Sequence, residues 1–174
     1  MDGVAVSGPG DEVVDVVDER DRVVRQATRR EVRAQNLFHR AVAVLCRRTD
    51  GDVFVHRRAD WKDVFPGHHD MFVAGMVGAG EPYQVAAARE LGEELGVEGA
   101  PLREVFRHLY LGRQERAWSA VYEVRWDGEV RIDPGEVAWG GWLTPDELER
   151  RLEEWTFCPD SLEIWARGRR EDAW

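Results

Sequence analysis

From Gly75 to Val97 the chain reads GMVGAGEPYQVAAARELGEELGV, and this stretch decides the fold. Pro82 suits a first helical position, Gly96 suits a stop, and Val85, Ala88, Leu91 and Leu95 recur between them at helical spacing. The spacing predicts a helix over 82–95, entered from an apolar strand, Met71 to Val77, through the turn Gly78-Ala79-Gly80. On that helix Glu90, Glu93 and Glu94 stand three and four apart, so their side chains share a face roughly opposite the apolar stripe. Three such carboxylates repel one another unless a positive charge sits among them. A hard divalent cation, Mg²⁺ or Mn²⁺, prefers oxygen ligands and supplies that charge. A merely solvated acidic face is the other reading of the same residues.

Upstream, His39 to Arg47 and Val53 to Arg58 are apolar runs around Thr49-Asp50-Gly51-Asp52, which predicts a β-hairpin. Glu12 to Asp18 and Val23 to Thr28 predict an earlier hairpin at the domain edge, followed by a short helix over 29–36. Residues 1–11, with Gly3, Gly8, Pro9 and Gly10 and little to bury, predict a mobile tail. Downstream, Leu102 to Leu111 and Ala117 to Trp126 predict paired strands, and Glu129 to Ile132 and Gly140 to Leu143 shorter ones. Thr144-Pro145-Asp146-Glu147 predicts a capping box that opens a helix, and a last helix starts at Pro159 or Asp160 and runs towards Arg167. The sum is a single α/β domain over 12–174, a mixed sheet with helices packed against it.

Bulk properties narrow the function classes. No apolar run spans a bilayer, and the N-terminus lacks the anatomy of a secretory signal, so a cytoplasmic location is expected. Cys46 and Cys158 stand far outside any CxxC-type metal or redox spacing. A formal charge of −10 disfavours adhesion to a nucleic-acid backbone but leaves open a small polyanion at a local basic or metal-bearing site.

Gly75, five residues, Glu81, seven residues, then Arg89-Glu90-Leu91-Gly92-Glu93-Glu94-Leu95-Gly96-Val97 resembles the Nudix signature at every defined position. The resemblance implies an α/β/α sandwich and metal-dependent hydrolysis of a pyrophosphate bond in a small nucleotide or nucleoside diphosphate-linked compound. Glu90, Glu93 and Glu94 match the family's metal-binding glutamates. The Gly75 carbonyl is a further candidate ligand, and Arg89 can pair with Glu81 or Glu90 to hold a carboxylate in orientation. Family members also use a later acidic residue before a tryptophan-bearing strand; Glu136, ahead of Trp142, is the candidate ligand or general base, with Glu115 in reserve.

Beyond the box, His39-Arg40-Ala41, Arg57-Arg58-Ala59, Lys62, Pro66-Gly67 and Pro159-Asp160-Ser161-Leu162 resemble the isopentenyl diphosphate isomerase-like branch, from about residue 12 onward. In the isomerases the positions matching Arg58 and Lys62 hold the substrate diphosphate. Ala74 stands where they need a cysteine, and Met76 where they use a metal-binding histidine. His39 matches another of their ligands but also reads as a packed core residue. Hydrolysis therefore leads, with an isomerase using another acid and a non-catalytic nucleotide sensor as alternatives. The partner expected is a small pyrophosphate compound, and the N-terminal hairpin offers an edge for a homodimer.

Overall fold

The computed structural model describes residues 8–174; of the tail expected over residues 1–11, residues 1–7 lie outside the described residues. Pro9–Asp11, assigned from sequence to that tail, forms a 3₁₀ turn tied to the rest of the fold by Arg30 donating to Asp11 at 3.0 Å. The hairpin β1 (Val13–Val17) and β2 (Val23–Thr28) leads directly into α1 (Arg29–Gln35). The Thr28 hydroxyl oxygen caps this helix by accepting from the Glu31 amide. β3 (His39–Arg47) and β4 (Val53–Arg58) follow around a turn in which Gly51 takes φ +104°. They pair only at Arg47 and Val53 and then part, so the expected hairpin is a corner between two groups of strands.

The chain continues through β5 (His69–Asp70), β6 (Phe72–Met76) and α2 (Tyr83–Leu95). It then forms β7 (Leu102–Leu111), β8 (Arg116–Arg125), β9 (Val137–Leu143), α3 (Pro145–Glu154) and α4 (Pro159–Arg170). β3 runs antiparallel to β6 and parallel to β8, and β7 closes against β8. β4 lies between β5 and β9.

β3 shows why its sequence is apolar at successive positions rather than alternating. Val42, Val44 and Cys46 enter the core under α2, while Ala43 and Leu45 enter the opposite core with Leu148 of α3 and Ile164 and Trp165 of α4. A strand covered on both faces cannot alternate between oil and water. The result is the α/β/α arrangement, and both cysteines are buried free thiols within it.

Three expectations need correction. The buried face of α2 is formed by Ala86, Ala87, Leu91, Glu94 and Leu95, whereas Val85 is 54% exposed and Ala88 is exposed too. The real stripe is rotated, and it carries Glu94 inward with the apolar residues. Residues 129–132 are not a strand. The Arg131 and Asp133 amides donate to the carbonyls of Leu95 and Glu94, satisfying acceptors left open where α2 stops at Gly96. Helix termination thus outcompetes sheet pairing and brings the following segment to the glutamate end of α2. At α3, the Thr144 oxygen accepts from the Glu147 amide, but Glu147 pairs with Arg151 instead of completing the box.

Candidate active site

β6 and α2 converge so tightly that Gly75 is required. A Cβ there would collide with the Glu90 carboxylate, so only glycine lets the strand backbone meet this side chain. Arg89 organises the acids around it. Its Nε and Nη2 each donate to one Glu81 oxygen at 3.0 Å, Nη1 donates to Glu90 at 2.7 Å, and Nη2 also reaches the Met76 carbonyl at 3.1 Å. Arg89 hydrogen bonding holds the Glu81 carboxyl below its ordinary range, despite partial burial.

The three helix glutamates occupy distinct environments. Glu93 has a 58% exposed side chain and lies 3.4 Å from Arg89. Glu90 is half-buried, and burial raises its pKa against the pull of Arg89. Glu94 is 5% exposed. Burial, and then the adjacent Glu90, push its carboxyl up to about 8, while Lys62 and Arg58 draw it down. Behind it lies the buried His56, with Nε2 3.9 Å from Glu94; burial, then Arg58 and Lys62, hold that imidazole down to about 3 and hence neutral.

A cavity of about 590 Å³ opens on these residues. Arg58 and Lys62 line it with Gly75, Glu90, Glu93 and Glu94. Arg58 donates through Nε and Nη2 to the Val64 carbonyl, at 3.2 and 3.0 Å, and has no carboxylate partner among the described residues. Lys62 forms an ion pair with Glu136, which also lines the cavity just ahead of β9. Glu115 lies on the same cavity but is spoken for. Arg33 donates to it at 2.8 Å, and His39 Nε2 sits 3.4 Å away without an aligned hydrogen bond. Burial opposes its charge, yet His39 and Arg33 hold its carboxyl down to about 2.

Among the described residues no three acidic, histidine or cysteine side chains already form a closed metal cage. Arg89 holds Glu90, and Lys62 holds Glu136. Sequence reasoning missed Arg29 and Arg33 of α1 and Asp70 and Asp160, all on the cavity wall. A signal existed for the first two, since they stand four apart on the predicted helix 29–36, but nothing local ties that helix to the box.

A NUDIX domain model matches residues 37–162, most of the chain. The chain belongs to the Nudix hydrolase family. This Nudix hydrolase is 53% identical over 171 residues to the uncharacterized Nudix hydrolase SCO1686 of Streptomyces coelicolor, covering 97% of this chain and 93% of that one. It is 36% identical over 162 residues to the uncharacterized Nudix hydrolase YfcD of Escherichia coli K12, covering 93% and 89%. Among solved structures, DR0079 of Deinococcus radiodurans superimposes with TM-score 0.77 at 32% identity, over 90% of this Nudix hydrolase and 98% of that chain. The MutT protein of Methanosarcina mazei Go1, at 20% identity and TM-score 0.67 over 78% and 95%, shares the fold. No helix among the described residues is long and apolar enough to cross a membrane.

Proposed function

We propose that this Nudix hydrolase cleaves the pyrophosphate bond of a small nucleotide or nucleoside diphosphate-linked compound, with Mg²⁺ or Mn²⁺ held by Glu90, Glu93, Glu94 and the Gly75 carbonyl. The observation that carries the reading is the buried carboxylate of Glu94 beside Glu90, in the same cavity as Arg58 and Lys62. The donors are all oxygen, and a buried carboxylate next to a second one calls for added positive charge. A divalent cation bound there lowers the pKa of water and neutralises charge on phosphoryl oxygens.

The protein's own residues supply the rest. Arg58 and Lys62 bind and orient the diphosphate, as the isomerase-like resemblance also implies; Arg58 has spare donors for this. Glu136 is the candidate base or additional ligand, and it becomes available when substrate phosphate draws Lys62 away. Arg89 fixes the Glu90 carboxylate. Ala74 and Met76 supply neither a thiol nor an imidazole, so the isomerase reaction lacks its groups here.

The test is phosphate and pyrophosphate release from nucleoside di- and triphosphates, sugar nucleotides, dinucleotides and coenzyme A esters, with and without metal. Glu93→Gln and Glu94→Gln should each lower turnover of the best substrate by at least about a hundredfold, beyond what outer-sphere changes usually cost, while keeping the native circular dichroism. Near wild-type rates in either variant would refute the assignment, and tight binding of an unchanged nucleotide would favour a sensor.

A further inference from the structure

The family match starts at residue 37, yet α1, upstream of it, contributes Arg29 to the cavity that holds the glutamates. The other arginines of that helix are engaged: Arg30 with Asp11 at 3.0 Å, and Arg33 with Glu115 at 2.8 Å and Asp63 at 3.5 Å. Arg29 differs. Among the described residues its only carboxylate neighbour is Glu12, 3.6 Å away and itself 62% exposed, and its guanidinium makes no hydrogen bond. It lines the same cavity as Lys62 and Glu90. Side-chain exposure rises from 10% at Lys62 to 28% at Arg29, so Arg29 is the more accessible of the two to a group that extends beyond the diphosphate.

The placement is built in. Val32 buries α1, Thr28 caps its start, and Asn36 closes its end while donating to the carbonyls of Gly112 and Arg113. A guanidinium with unused donors, carried on an anchored helix, is a fork for phosphate oxygens. Arg58 and Lys62 already serve a diphosphate, so a third cation beside them has a separate use.

We propose that Arg29 is a specificity-determining residue that binds an anionic group carried beyond the pyrophosphate, a third phosphate or a phosphomonoester. This rests on the pyrophosphate reading and narrows its substrate class. Inorganic pyrophosphate and tripolyphosphate are the probes, with binding measured by calorimetry with Ca²⁺ replacing Mg²⁺ to hold back turnover. Wild-type protein should bind tripolyphosphate more tightly. Arg29→Ala should weaken tripolyphosphate about tenfold or more, as loss of a charged hydrogen bond does, but pyrophosphate less than about twofold. Arg29→Lys should fall between them, and equal melting temperatures for the three proteins exclude a folding defect. Equal weakening of both probes, or of neither, overturns the proposal. If the binding difference is seen and no phosphate anhydride is hydrolysed, the hydrolase reading fails and this one stands.

Discussion

Glu115 shows how one residue's charge can serve the fold. Its carboxyl lies below its ordinary value of 4.5, at about 2, because His39 and Arg33 outweigh the cost of burial. A depressed folded pKa gives stability that is present in full above pH 4.5 and is lost as the pH falls through about 2. Glu115→Gln should therefore destabilise the protein by about 3 kcal/mol near neutrality, the scale of a broken buried ion pair. The gap to wild type should close as the pH drops from 4.5 towards 2. Urea unfolding across that range checks it; a constant gap would show that the carboxylate's charge is not what Arg33 uses. The box residues were legible because their spacing is local, but the engagement of Glu115 was not. Its partners lie on α1 and at the start of β3, brought near only by the finished sheet.

At the scale of the element, α2 must serve two masters, presenting acids to the cavity while packing against β3 and β6. Periodicity found the helix and its glycine stop but misjudged its orientation. Val85 and Ala88 fit an apolar repeat, yet the sheet takes Ala86 and Ala87, which let the helix approach closely, and leaves Val85 in solvent. Leu91→Ala should thus cost about 3 kcal/mol through transfer and cavity terms, and Val85→Ala no more than about 0.5 kcal/mol, as at ordinary surface positions. Thermal unfolding of the two variants decides between the faces, since comparable losses would restore the first reading. Residues 129–132 misled for a related reason. Their β-prone composition is real, but the open carbonyls of α2 offer their amides nearer partners.

At the scale of the molecule, the net charge of −10 conceals a division of labour, with carboxylates on α2 opposed by cations from α1, β4 and the loop after it. The acidic side should make the fold responsive to metal. Mg²⁺ at about a hundredfold over its Kd should add about 2.7 kcal/mol of stability, and a chelator should remove both this increment and turnover while leaving the secondary structure intact. Differential scanning calorimetry would show it, and a melting temperature indifferent to Mg²⁺ would argue against a cation at α2. The overall sandwich was legible because β3 and α2 have strong patterns. The wall contributed by α1 was not, because no periodicity reports which distant surfaces meet.

The parallel pairing of β3 with β8, from His39 opposite Ala117 to Arg47 opposite Arg125, also constrains how the chain is made. The entire glutamate helix is translated between these partners, so the central strand emerges from the ribosome long before the strand along one of its edges exists. Until β8 arrives, Val42, Val44 and Leu45 sit on a strand with an unpaired edge, and such non-local closure is slow and open to aggregation. A nascent chain halted before β8 therefore carries the full set of helix glutamates without the sheet that would position them.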